Sequence, residues 1–339
     1  MAHVVSPPFG TTVSGSTVLV TGAYGLLGSW MVKALLVRGA RVVVLRRDER
    51  PGSALVLEGT ESQCVVVHGD LADADLLERV IGEHEVDTVL HLAAQTIVGT
   101  ANRSPRSTFE TNIRGTWNLL EACRLHGVGR TLVAASDKAY GPSETLPYTE
   151  DQALSPRHPY DVSKAATDLI ARSYWHTYEL PVAVTRLANI YGGGDQNRSR
   201  LVPEAVAAVL AGLAPVIRSD GSPERDLLYV DDAVDAYLAL LDLLAGGGGA
   251  GEAFNAGGGR PHRVLDVVRE VCRLGGLAGE PDVRGSGTPA GEIDRQWVDP
   301  QKLTDHTGWR AQVPLSDGLE RTIAWYRDHP DCLGLAGSS

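Results

Sequence analysis

Aromatic and sulfur side chains are scarce in this sequence: three Phe, two Met and four Cys among 339 residues. Cys64, Cys123, Cys272 and Cys332 stand far apart, in no metal-type spacing. They read as buried or incidental thiols of a reducing compartment, and no metal site is expected. Long hydrophobic runs are missing too. Nothing approaches the roughly 18 apolar residues of a membrane span, and the first residues carry no basic-then-apolar export pattern. A cytoplasmic protein without membrane contact is the expectation. Positive charge is also short, since 31 Lys and Arg against 42 Asp and Glu give a net charge of −11. That balance argues against a nucleic-acid surface. A small polyanionic ligand stays open, because a few local cations and backbone N–H groups suffice to hold one.

Hydrophobic residues make up 43% of the chain, enough for one large α/β unit or two domains sharing a core. Residues 1–16, rich in Ser, Thr, Gly and Pro, read as a loose leader. From Thr17 the short runs "TVLV", "RVVVL", "CVVVHG", "TVLHLA", "TLVAAS" and "PVAVTRL" predict strands. Amphipathic stretches such as "GSWMVKALLVRG" and "FETNIRGTWNLLEACRLHG" lie between them. Strands alternating with helices predict an α/β fold around a doubly wound parallel sheet, covered on both faces. After about Asn189 the pattern turns Gly-rich and poorer in strands, which predicts a smaller lobe over the C-terminal edge of the sheet. The run "GGGGAGE" reads as a flexible surface loop.

Gly22, Gly25 and Gly28 stand between the first strand and the first helix, in "TVLVTGAYGLLGSWMVKALL". In that context the pattern predicts a dinucleotide pyrophosphate docked on the helix N-terminus. Residues 17–188 are therefore expected to form the dinucleotide-binding domain, residues 189–330 mainly a substrate lobe with segments returning to the sheet, and 331–339 a tail. NAD enzymes usually carry an acid after the second strand, whereas this chain has "LRRDER". Arg46 and Arg47 either pair with a 2′-phosphate, as in NADP, or belong to a solvated charge run. Asp70 is placed to accept from an adenine amine or to serve an ordinary turn.

Tyr160 and Lys164, four apart on one helix face, form a device for removing a proton from an alcohol. A neighbouring ammonium favours phenolate and brings the Tyr toward neutrality. Ser136, at a strand end, would bond the reacting oxygen.

These residues carry a resemblance. The pieces "TGAYGLLGS", "HLAAQ", "FETNIRGTWNLLEA", "SDKAYG", "YDVSK", "RLANIYGGGD", "RDLLYVDD" and "FNAGG" resemble the extended short-chain dehydrogenase/reductases, in their nucleotide-sugar epimerase/dehydratase group. Within it, "GSW", "AAQ", the "SDK" triplet and "GGGDQNRSRLVPE" resemble the CDP-glucose 4,6-dehydratases. "RDLLYVDDAV" departs from that subfamily's Pro-Trp-Gln-type segment. The resemblance implies a Rossmann fold, a homodimer and a nucleoside-diphosphate sugar as partner. Its cofactor is implied to be NAD, against the NADP that the arginines favour. It implies a cofactor site of Gly22, Tyr24, Gly25, Leu26, Leu27, Gly28, Arg46, Arg47, Asp70, Leu71, Leu92, Ala93, Ala94, Asn112, Tyr160 and Lys164. Ser136, Asp137, Lys138, Tyr160 and Lys164 would be catalytic, with Asp137 the acid and Lys138 the base. The alternative for Asp137 and Lys138 is a surface ion pair. Gln95, Asn189, Arg200, Arg225 and Arg295 would meet the substrate.

Overall fold

The computed structural model describes residues 9–287 and 293–334. Its main sheet takes six strands from the first part of the chain: β1 Thr17–Thr21, β2 Arg41–Arg46, β3 Val65–His68, β4 Thr88–His91, β5 Arg130–Ala134 and β6 Val182–Leu187. The later strands are β7 Asn189–Tyr191, β8 Val216–Ile217, β9 Glu224–Tyr229, β10 Ala253–Ala256, β11 Pro261–Arg263, β12 Asp282–Val283 and β13 Arg295–Gln296. Seven parallel strands run in the order β10-β6-β5-β4-β1-β2-β3. Each expected strand from Thr17 to Leu187 is present. The chain reverses its direction of travel across the sheet between β1 and β4, the point where such folds bind ligands.

Helices follow the strands: α1 Leu26–Val37, α2 Ala54–Leu57, α3 Ala74–Glu83, α4 Val98–Arg103, α5 Pro105–Phe109 and α6 Gly115–Leu125. Then come α7 Pro159–Tyr178, α8 Leu201–Leu210, α9 Val230–Ala245, α10 Val264–Gly275, α11 Gln301–Thr307 and α12 Leu315–Asp328. The apolar strands feed two cores. Val18, Val20, Val42 and Val44 point to the face packed by α1 and α9, while Leu19, Val43 and Leu45 point to the face packed by α3 and α6. Successive side chains alternate in direction, so a strand covered on both faces must be apolar throughout.

Among the described residues from Asn189 on there are seven short strands, a departure from the strand-poor expectation; strands of two to six residues leave little periodicity to read. In the lobe, β9 pairs with β7, β11 and β13, while β10 returns to the main sheet beside β6. Two other expectations need correction. Residues 1–8 of the expected leader lie outside the described residues, but residues 9–16 are docked. Val13 is fully buried, and Asp242 of α9 accepts from Gly10 N at 2.6 Å and from the Thr12 hydroxyl at 2.7 Å. The "GGGGAGE" loop is also packed at its far end: Gly251 N donates to Val182 O at 2.7 Å, and a Cβ there would strike the Trp175 ring. Of the tail, Cys332 and Leu333 are buried, and 335–339 lie outside the described residues.

Candidate active site

β1 delivers the chain into the glycine turn. Gly22 has φ 75°, and its carbonyl accepts from Gly25 N at 3.0 Å. A Cβ on Gly22 would lie 2.6 Å from Ala93 N, and one on Gly28 2.1 Å from Gly22 O. Both glycines therefore permit close packing, of turn on β4 end and of helix on turn. Gly25 differs, because its Cβ position meets only Gly22 O, at 3.4 Å. Gly25 caps α1 without a side-chain bond, which leaves the first N–H groups of the helix to an anion. The cradle fits a dinucleotide pyrophosphate. Leu26 and Leu27 are buried behind it, and Leu71 packs under Gly115. Leu92, Ala93 and Ala94 leave β4 beside the turn, where Leu92 N donates to Thr21 O at 3.1 Å.

The two arginines are held by carboxylates. Arg46 reaches Glu61 at 2.9 Å and Glu49 at 3.0 Å, and Tyr24 donates its hydroxyl to the same Glu61 at 2.5 Å. Arg47 pairs with Asp48 at 2.7 Å. Asp70 accepts from Ala72 N at 2.8 Å, in its own turn.

Asn112 sits in a π-helical turn, Glu110–Arg114, between α5 and α6. Such a turn takes an extra residue and often marks a functional site. The Asn112 side chain accepts from Gln95 N at 2.7 Å and donates to Ser163 Oγ at 2.9 Å, tying β4's exit to α7. The Gln95 side chain, by contrast, folds back on Ile97 and Thr108.

At the end of β5 the chain makes a 3-10 turn, Asp137–Tyr140, capped by Ser136, whose oxygen accepts from Lys138 N at 3.2 Å. Ser136 also donates to Asp137 Oδ1 at 3.0 Å. Asp137 is only 2% exposed, and its Oδ2 has no partner among the described residues. Burial pushes its carboxyl up to about 6, against the opposing pull of Lys138, Ser136 and Arg225. The alternative of an exposed ion pair does not fit, since the acid is buried and Lys138 reaches Gln296 Oε1 at 3.5 Å.

Pro159 opens α7 and Tyr160 follows it, so Tyr160 and Lys164 share a face at the helix start. Burial pushes the Tyr160 phenol up to about 12; Arg200 and the neighbouring Ser136 hydroxyl oppose that rise, while Asp137 adds to it. This differs from the expected lowering by Lys164. The Lys164 amine donates to Ala134 O at 2.7 Å, and burial lowers it to about 8, weakening the ammonium as a counter-charge.

Behind the turn lies a buried clamp. Arg186 grips Asp168 through two bonds, 2.8 and 3.2 Å, and donates to the Tyr140 hydroxyl at 2.9 Å. Tyr140 donates in turn to Asn255 Oδ1 at 2.8 Å and stacks on Tyr148 at 4.7 Å. Thus α7, β6 and β10 all hold the end of the Asp137–Tyr140 turn.

Of the expected substrate residues, Arg225 lies within electrostatic reach of Asp137 and Arg200 within that of Tyr160. Arg200 pairs with Asp195 at 3.1 Å while its side chain stays partly open to solvent. Asn189 donates to Asp226 O at 3.3 Å. Arg295 turns outward, exposed, onto Glu224 and the Trp297 ring. Sequence reasoning missed Gln296, which follows Arg295 in a stretch without a recognisable motif. It also missed Asp226, which burial pushes up to about 7.

Residues 18–257 match the NAD dependent epimerase/dehydratase family. The chain belongs to this family. A dTDP-glucose 4,6-dehydratase of Streptomyces antibioticus is 35% identical over 317 residues, covering 92% of each chain. The dTDP-glucose 4,6-dehydratase of Xanthomonas campestris pv. campestris is 33% identical over 331 residues, 92% of this chain and 93% of its own. Among solved structures, a Streptomyces venezuelae dTDP-glucose 4,6-dehydratase with NAD and TYD bound superposes with a TM-score of 0.85 at 32% identity, over 94% of this chain and 99% of that one. A Thermotoga maritima UDP-glucose 4-epimerase with UDP-glucose gives 0.84 at 28% identity, over 92% and 99%. The family thus holds both chemistries on one epimerase/dehydratase scaffold.

Proposed function

We propose that the chain is a nucleotide-sugar 4,6-dehydratase, which converts a nucleoside-diphosphate glucose to a 4-keto-6-deoxy sugar with loss of water. NAD, held at the Gly22–Gly28 turn and the start of α1, would supply the hydride acceptor for C4 and the hydride donor for C6. The observation that carries the reading is the buried Asp137, protonated up to about pH 6, next to Lys138 and within reach of Tyr160. Tyr160 takes the proton of the C4 hydroxyl, which Ser136 orients. A C4 ketone acidifies the C5 hydrogen, since the resulting carbanion is an enolate. Lys138 removes that proton, Asp137 delivers its own to the departing C6 hydroxyl, and Lys138 gives its proton back to C5 when hydride reaches C6. A 4-epimerase needs neither of these two groups, because its ketone is only reduced again from the other face.

For the cofactor we take NAD over NADP. A 2′-phosphate beside Arg46 would have to displace Glu61 and Glu49, and beside Arg47 it would have to displace Asp48. Denaturing the purified protein and identifying the released nucleotide tests this. For the base we take CDP-glucose, on the "GSW", "AAQ" and "GGGDQNRSRLVPE" pieces. The dTDP- and UDP-glucose named for the relatives are its competitors. A homodimer belongs to the same reading. It is supported by exposed Trp117 and Leu125 on α6 beside Leu169 and Tyr178 on α7, and sedimentation tests it.

The function is tested with a panel of NDP-glucoses and NDP-glucuronates and mass spectrometry of the products. Loss of water supports the dehydratase; no mass change or loss of CO2 indicates epimerisation or decarboxylation. Lys138→Met should oxidise C4 and then stall, with sharply reduced exchange of the C5 hydrogen in deuterated water. Asp137→Asn should keep that exchange and lose water slowly. Normal turnover in both variants would sink the dehydratase reading.

A further inference from the structure

Gln296 is fully buried, at 0% exposure, yet half of its carboxamide is unused. Its Oε1 accepts from Lys138 Nζ at 3.5 Å, while its Nε2 has no partner among the described residues. The Lys138 amine donates to the carboxamide oxygen, the one acceptor that the side chain has. The orphan is therefore an N–H donor, and leaving a buried donor unmet is costly. Asp137 Oδ2, one residue before Lys138, is a second buried orphan. β13 places Gln296 there by pairing in register with Arg225 of β9, and Arg225 acts on Asp137. Two buried polar atoms without partners among the described residues thus accompany Lys138, the Gln296 donor on the carboxamide that holds its amine and Asp137 Oδ2 one residue before it in the chain. The 3.5 Å contact is long and leaves room to tighten.

We propose that Gln296 is a substrate-binding and positioning residue: its Nε2 donates to an oxygen of the hexose, and its Oε1 aims Lys138. The proposal rests on the dehydratase reading for the role of Lys138, but the sugar contact stands on the orphan donor alone. Both halves come from one carboxamide, so a hexose drawn onto Nε2 is brought to the amine held by Oε1. Bare nucleoside diphosphate has no hexose and gains nothing from this residue.

Gln296→Leu keeps the bulk and removes both polar atoms. Calorimetric titration of wild type and variant with CDP-glucose, dTDP-glucose, CDP and dTDP reads the first role without needing turnover. The variant should bind the NDP-glucose about three- to tenfold more weakly, the scale of one hydrogen bond, and bind the matching NDP as wild type does. Its melting temperature should hold or rise, because a buried orphan has gone. Equal losses for NDP-glucose and NDP, or no loss for either, would overturn the sugar contact. A cycle with Lys138→Met reads the second role. Gln296→Leu should slow C5 exchange in the wild-type background and add little further slowing in the Lys138→Met background. Full additivity would overturn the positioning role. If wild type binds NDP-glucose but releases no water, the dehydratase reading fails while the binding comparison still judges Gln296. Should Gln296→Leu fail to fold, Gln296→Met supplies the same comparisons.

Discussion

At the residue scale the informative feature is a carboxyl kept where it is uncomfortable. Asp137 has its proton affinity raised to about 6, mainly by burial. The folded protein therefore holds a proton between about pH 4 and pH 6 that the unfolded chain gives up. This group's contribution to stability falls as pH rises through that window and stays low above it. Asp137→Asn removes the penalty, so relative to wild type it should gain on the order of 2–3 kcal/mol between pH 4 and pH 7. Thermal melts at both pH values check this, and a gain independent of pH would show that desolvation is not the cause. In the wild type, water loss should slow as pH rises past about 6, because the acid form declines. Arg200 carries a second prediction, since its charge opposes the burial of Tyr160. Arg200→Gln should slow C4 oxidation in single-turnover kinetics, and Arg200→Lys should restore most of the rate. If both variants behave alike, the role of Arg200 is something other than charge. The Ser, Tyr and Lys of this site were legible in the sequence because their spacing carries chemistry. Arg200 was legible as a substrate residue, but its pairing with Tyr160 was not, because it lies forty residues further on and joins it only through the fold.

At the scale of elements, the first strand, turn and helix divide their three glycines between packing and binding. Gly28→Ala places a methyl against Gly22 O and should cost the fold, seen as insoluble protein or a collapsed melt. Gly25→Ala meets only Gly22 O at 3.4 Å, so it should melt near wild type yet lose retained dinucleotide on gel filtration. Retention of cofactor by a folded Gly25→Ala would place the pyrophosphate elsewhere. The strands before Leu187 were legible because each is an apolar, β-branched run set off from its neighbours by helical stretches. Those of the lobe were not. β13 is two residues long and pairs with β9 from far away in sequence, so Gln296 had no periodic or motif context to mark it. Val13 escaped notice for a similar reason: a Ser- and Gly-rich leader looks loose until Asp242 accepts its N–H groups.

At the scale of the molecule, the catalytic turn is fixed by a buried ion pair that joins α7 to β6. Asp168 and Arg186 are 0% and 1% exposed, and removing one partner leaves the other charged and desolvated. Asp168→Ala should destabilise the protein by about 3–5 kcal/mol, measured by denaturant unfolding. An unchanged midpoint would mean that Tyr140 and the Glu150 carbonyl satisfy Arg186 alone. The same clamp extends to Asn255 on β10, a strand made only after β7, α8, β8, β9 and α9 of the lobe. β6, buried at every position, leaves the ribosome long before β10 does. Throughout that interval its outer edge offers unpaired N–H and C=O groups on an apolar strand, which is a template for pairing with another chain. The sheet therefore has a period of exposure set by the time needed to translate residues 188–252, and slower elongation through that stretch should raise the aggregated share of newly made protein.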